Sequence, residues 1–188
     1  MKYQTGIKTN NYNYLYSNRG RALEEDINDT NTYYRSINKA VIYKKPTPIT
    51  VNKVDYKSRT DAVIKEAHFI VPSTTDYNGI YKGKYIDFEA KETKSKTSFP
   101  LSNIHVHQIN HLKQIVSLGG IGFIIVRFSS FNETYYLSCN NLIEFMENES
   151  RKSIPLTYFK EKGYLIKEGL RPRLDYLKIV DKELGDIK

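Results

Sequence analysis

Asp87, Glu89 and Lys91 stand two residues apart in the stretch Ile86-Asp87-Phe88-Glu89-Ala90-Lys91. In an extended strand, side chains at i and i+2 share a face, so these three point one way and Ile86, Phe88 and Ala90 the other. Asp76 lies thirteen residues before Glu89, and the Asn78-Gly79 pair between them is a strong hairpin signal. A hairpin would bring Asp76 beside Glu89. Two carboxylates with an ammonium at their side suit a hard divalent cation, because oxygen ligands favour Mg²⁺ or Mn²⁺ over softer metals. Such a site can serve phosphodiester hydrolysis: the cation neutralises the phosphate, while Lys91 orients the attacking water or stabilises the growing charge. Solvent-facing strands carry the same spacing when acidic and basic groups merely keep them soluble. Spacing alone leaves both readings open.

The elements that must position these residues are legible in outline. Acidic residues Glu24, Glu25 and Asp26 open a helix from Ala22 that carries Leu23, Ile27, Tyr33 or Tyr34 and Ile37 near helical spacing, as the dipole favours. Ala40 to Tyr43 reads as a short strand, stopped by Lys44-Lys45-Pro46-Thr47-Pro48, where the prolines force an extended exit. Residues 49 to 71 alternate apolar and basic groups around a charged bend at Asp55 to Arg59, which predicts a protruding hairpin. Lys84 to Glu92 alternates strictly as a strand. Asn103 to Leu118 is predicted as a helix with Ile104, Ile109, Leu112 and Val116 as its apolar stripe, ended by Gly119-Gly120. The apolar run Ile121 to Phe128 reads as a buried central strand, Glu133 to Ser138 as another, and Leu142 to Glu147 as the opening of a helix. From Pro155 the tail mixes a short helix with Arg171 to Leu177. Strand, helix and strand through the centre predict an α/β fold. Residues 1 to 18, rich in Asn, Tyr, Thr and Lys without apolar period, read as a disordered arm before a single domain over 19–188.

Composition narrows the partners. The chain has 188 residues, with 29 Lys and Arg against 21 Asp and Glu, a formal charge of +8. A folded chain this basic points to nucleic acid or an anionic membrane. Hydrophobic residues at 39% suffice for a core. The lone Cys139 excludes an internal disulfide and a thiolate zinc cage, and it favours a reducing compartment, so a soluble cytoplasmic protein is expected. The start lacks the apolar core of a signal peptide, and Ile121 to Val126 is too short to span a bilayer. Sixteen tyrosines and eight phenylalanines could stack on bases, or could reflect AT-rich codons that raise Tyr, Asn, Ile and Lys together.

Basic residues around the protrusion, Lys44, Lys45, Lys53, Lys57, Arg59 and Lys65, suit phosphate tracking, although ordinary solvation would place them there too. Arg19 and Arg21 flank the first helix and could grip a phosphate or only face solvent. His107 and His111, at i and i+4, could share a metal; with no third ligand of matching type, they read better as helix-start histidines near phosphates. Cys139 reads as a small buried side chain.

Several peptides tie these pieces together: Pro72 to Gly79 (PSTTDYNG), Tyr85 to Thr93 (YIDFEAKET) and Lys96 to Pro100 (KTSFP), with Arg19-Gly20, Leu23-Glu24, Lys44 to Pro48, His107-Gln108 and Pro172 to Leu177. This set closely resembles the RecU family of Holliday junction resolvases and covers nearly the whole chain outside the first 18 residues. The resemblance implies a restriction endonuclease-like fold, a mixed central sheet flanked by helices, with a stalk matching residues 45 to 71. It implies a homodimer with one site per subunit that nicks a four-way junction symmetrically in recombination and repair. It implies Asp76 and Glu89 as ligands of Mg²⁺ or Mn²⁺, with Thr74 and Gln108 supporting that site, Lys91 serving the attacking water, and Glu24 as the acidic residue of the first helix. It also implies a link to the RecA recombinase. The first carboxylate follows Thr74-Thr75 where the wider nuclease superfamily has proline, a feature RecU shares. A restriction-type nuclease for duplex DNA, and a non-catalytic branched-DNA-binding or RecA-modulating protein, are the rival readings.

Overall fold

The structure is a computed structural model that describes residues 22–56, 58, 61–69 and 74–185. The predicted arm, and the candidate DNA contacts Arg19, Arg21, Lys57 and Arg59, lie outside the described residues. Helix α1 (Leu23–Ser36) is followed by β1 (Val41–Lys44), the pair β2 (Ile49–Asp55) and β3 (Val63–Phe69), then β4 (Tyr77–Tyr81) and β5 (Lys84–Thr93). After the short strand β6 (Ser98–Pro100) come α2 (Val106–Ser117), β7 (Ile121–Phe128), β8 (Glu133–Ser138) and α3 (Cys139–Asn148). The chain closes with β9 (Ser153–Pro155), α4 (Leu156–Lys162), β10 (Tyr164–Ile166) and α5 (Leu177–Glu183).

The main sheet runs β1-β4-β5-β7-β8-β10, and β5 with β7 is its one parallel pair. A parallel pair needs a crossover, and α2 supplies it. Helices cover both faces. On one, Leu23, Ile27 and Tyr34 of α1, with Tyr176, Leu177 and Val180, pack against Phe88, Phe123 and Tyr136. On the other, Ile109 and Leu112 of α2, Leu142 of α3 and Phe159 of α4 pack against Ile124, Val126 and Leu137. All eight residues of β7 are buried, as the uninterrupted apolar run predicted. The mixed sheet flanked by helices is therefore the observed architecture.

Two features fix the register. Tyr77 stacks on Phe88 at 4.9 Å between ring centroids, Phe88 on Phe123 at 4.6 Å and Phe123 on Tyr136 at 4.4 Å, an aromatic row across four neighbouring strands. A one-residue slip would turn those rings out of the core, which the sheet's two-residue period does not tolerate. The second feature corrects the sequence reading. Asn78 and Gly79 lie inside β4, and the β4–β5 turn is Lys82-Gly83, both at positive φ (49° and 74°). Gly79 is needed for another reason: a Cβ there would stand 2.0 Å from the carbonyl oxygen of Val41 on β1. Close approach of two backbones, not a turn, holds that glycine.

The predicted protrusion is present. Strands β2 and β3 form a sheet of their own, pairing only with each other among the described residues, with a register irregularity near Lys53. The helix expected from Asn103 instead begins at Val106 after a 3-10 turn at Leu101–Asn103, so buried Ile104 precedes it. Strands β6, β9 and β10 carry no periodic signal of their own and were not predicted.

Candidate metal and nucleic-acid site

The Lys82-Gly83 turn sets the first contact. Tyr77 pairs with Phe88 at the end of the β4–β5 ladder, so Asp76, one step beyond, stands opposite Glu89. The main-chain N–H of Asp76 donates to Glu89 Oε2 (3.0 Å), and Ala90 N–H donates to Asp76 Oδ2 (3.2 Å). Had the turn been at Asn78-Gly79, these carboxylates would not have met. Glu89 is fully buried, and its Oε1 lacks a hydrogen-bond partner of proper geometry, although the Lys91 ammonium presses against it as an ion pair. Burial pushes the Glu89 carboxyl up to about 7; the Asp76 charge pushes the same way and Lys91 opposes both. Lys91 itself is partly exposed at the rim.

Glu24 reaches the same place from α1. A cavity of about 180 Å³ is lined by Leu23, Glu24, Asp76, Tyr77, Lys91 and Glu92 among others. Lys44, on β1, pairs with Glu24 at 2.5 Å. Helix α1 is held there by Asp26, two residues on, whose buried carboxylate takes Arg127 Nη2 at 2.6 Å and Arg173 Nε at 3.3 Å. The Pro172–Leu177 peptide is thus part of the scaffold behind Glu24.

Thr74, Gln108 and Lys45 sit differently from what their expected roles suggest. The Thr74 hydroxyl accepts from Lys45 Nζ (3.0 Å). Gln108 is buried and its side-chain carbonyl accepts from the His105 N–H (2.9 Å), capping the start of α2. The Lys45 ammonium donates to Thr74, to Thr75 Oγ1 (2.6 Å) and to Asp87 Oδ2 (2.8 Å), so its three N–H bonds are engaged within the protein. His111 Nε2 also lies 3.1 Å from Asp87 Oδ2. No group of three or more His, Cys, Asp or Glu suited to a metal occurs among the described residues, so the histidine pair gathers no such set. Cys139 is buried at the start of α3. Sequence reasoning overlooked Thr75; it placed Asp87 on the face of Glu89 and Lys91 without a role of its own, and read His111 as a helix-start histidine near phosphates, not as a partner of Asp87.

The donor set fits a small hard cation. Two adjacent carboxylates, Glu89 buried and Asp76 half-buried, repel each other, and Glu89 Oε1 is met only by the Lys91 ammonium, so the metal-binding atoms these two residues offer are carboxylate oxygens. A cation there would relieve the repulsion and keep the coordination water that Mg²⁺ retains when carboxylates are few.

A sequence profile for the family described as Recombination protein U matches residues 18–182. A protein from Bacillus mycoides (strain KBAB4) named Holliday junction resolvase RecU is 54% identical over 171 residues, covering 89% of this chain and 86% of the relative. One of the same name from Geobacillus sp. (strain WCH70) is 56% identical over 170 residues, covering 89% and 85%. Another from Bacillus cereus (strain B4264) is 53% identical over 181 residues, covering 95% and 88%. A solved structure of Archaeoglobus fulgidus Hjc, a Holliday junction resolvase, aligns at TM-score 0.45 and 8% identity over 76% of this chain and 94% of that one.

Proposed function

Since the chain belongs to the Recombination protein U family, we propose that it is a divalent-metal-dependent endonuclease that cuts four-way DNA junctions during recombination and repair. The observation that carries the reading is the pairing of Asp76 with buried Glu89 beside Lys91, on the strand pair the family peptides mark. Asp76 and Glu89 would hold Mg²⁺, with Mn²⁺ able to substitute. That ion, when bound, supplies Lewis acidity at the scissile phosphate. Lys91, at the rim, holds the attacking water in line or stabilises charge as it builds on the phosphate. Glu24 lines the same cavity as Asp76 and Lys91, and Lys44 neutralises it.

The substrate's two-fold geometry suits a homodimer with one such site per subunit, giving paired nicks. Selection by branch shape needs no base-reading helix, which agrees with a basic chain that carries a separate two-stranded hairpin. The RecA recombinase as partner, and the cytoplasm as compartment, belong to the same proposal on the strength of the family and the single cysteine. No helix among the described residues is long and apolar enough to cross a membrane.

The test is a cleavage assay on a mobile four-way junction and on linear duplex of matching sequence, each with and without Mg²⁺. Metal-dependent nicking of the junction alone is expected. Equal cutting of both substrates would replace this reading with a duplex nuclease, and binding without cleavage in Mg²⁺ or Mn²⁺ would leave a non-catalytic junction binder.

A further inference from the structure

Asp87 is a fully buried carboxylate that the metal chemistry does not use. It sits on the same face of β5 as Glu89, two residues away, and gathers polar groups from four places. Its Oδ1 takes the Thr75 hydroxyl in a short hydrogen bond. Its Oδ2 meets Lys45 Nζ at 2.8 Å, the Tyr85 hydroxyl at 3.1 Å and His111 Nε2 at 3.1 Å. A buried carboxylate surrounded in this way needs those partners, since leaving it unpaired would be costly.

The partners are not scattered. The stalk leaves the domain just after Lys45, and the chain returns to the domain at Thr74 and Thr75. The Lys45 ammonium therefore joins the outgoing leg to both threonines of the incoming leg, and all of them to β5 through Asp87. The main chain closes the same neck, with Lys45 N–H donating to the Asp76 carbonyl (2.8 Å). Asp76 is the metal-ligand candidate, and its own N–H holds Glu89 Oε2. The root of the stalk and the pair of carboxylates are thus linked through the backbone of one residue, Asp76.

We propose that Asp87 is a positioning residue: with Lys45 and Thr75 it latches the root of the stalk to the catalytic strand, so that the seating of the stalk sets the Asp76–Glu89 geometry. The latch lets branched DNA held by the stalk act on the cutting site, and this rests on the endonuclease reading above. Lys45 serves as a cross-link in it and not as a phosphate grip. Partners of this kind around a metal ligand typically carry about 10–100-fold in activity or metal affinity.

Three variants decide it: Asp87→Asn, Lys45→Met and the double substitution. In the metal-free, DNA-free protein, amide exchange of Lys45, Thr75 and Asp76 should rise about ten-fold or more in each, while amides of α3 hold their wild-type rates. In single-turnover cleavage of a four-way junction, each single variant should lose about ten-fold or more in rate with junction Kd within about two-fold, and the double variant should lose no more than the worse single. Unchanged exchange at the neck overturns the latch. So does a Lys45→Met variant that weakens junction binding, lowers its salt dependence by about one phosphate contact and adds to Asp87→Asn, because that is the behaviour of a DNA grip. Should Asp87→Asn not fold, Thr75→Val and His111→Phe remove one bond each from the same carboxylate; faster exchange at the same three amides supports the latch, and wild-type rates overturn it. If the wild-type protein leaves the junction uncut, the endonuclease reading fails, and the exchange measurement still decides the latch.

Discussion

The hairpin β2–β3 and the central strands β5 and β7 are built from similar residues and behave oppositely. Every residue of β3 is exposed, including Val63, Ile64 and Phe69, the last at 76%, whereas every residue of β7 is buried. An isolated two-stranded ribbon is marginal in water, because it has backbone pairing but no second layer to bury its side chains against. The central strands have helices on both faces. Apolar residues in the stalk are thus available to a partner, while the same types in the centre hold the register that sets Asp76 against Glu89. The central strands thus carry the stability and the register that brings Asp76 to Glu89, and the stalk is the part we propose engages branched DNA and adjusts that geometry through its root.

That division can be broken by experiment. The largest effect is expected from Glu89→Gln, which removes the proposed metal ligand without altering shape: junction cleavage should fall by at least about 10³-fold while gel-shift binding holds, and a variant cutting at wild-type rate would show that the ligand assignment is wrong. Phe123→Ala, at the middle of the aromatic row, should cost about 3–5 kcal/mol in urea unfolding, whereas Phe69→Ala in the stalk should cost less than about 0.5 kcal/mol and weaken junction binding instead. Equal destabilisation by both would erase the contrast. Deleting residues 47 to 70 should leave the circular dichroism of the remaining domain intact and reduce the preference for junction over duplex; an unfolded product would make the hairpin part of the core.

The smallest effect concerns the turn that sets the register. Burial would raise the Asp181 carboxyl, but hydrogen bonds from Lys82 and Tyr81 (2.7 Å each), with the Lys82 charge, leave it below its ordinary value. A carboxyl depressed in the folded state contributes stability above its unfolded pKa, near 4, that is lost as pH falls through the folded value. Asp181→Asn should therefore cost at most about 1 kcal/mol at neutral pH and nothing at the acid end, flattening the acid limb of the stability curve. A parallel downward shift at all pH values would mean the loss is packing alone.

Legibility followed periodicity. The alternation of β5 and the apolar run of β7 stood out because each is a single local pattern, and the paired proline exit with its basic alternation marked the stalk. The turn was misplaced because Asn-Gly is the stronger local signal, yet Gly79 was required by a backbone on another strand. Lys45 looked like one more stalk cation, and Asp87 like one more acid on a half-exposed strand. Neither local composition nor spacing distinguishes a solvated carboxylate from one enclosed by Thr75, Tyr85, His111 and a lysine 42 positions away.

By itself the sequence determined the types of group available, the face of β5 that presents them and the peptides that mark the family, because strand period and short motifs are properties of neighbours along the chain. Only the tertiary structure decided which carboxylate is buried beside which, where the hairpin turns and which lysine is a cross-link. Those outcomes depend on the register and the covering helix, and both are set by contacts between residues far apart in the chain.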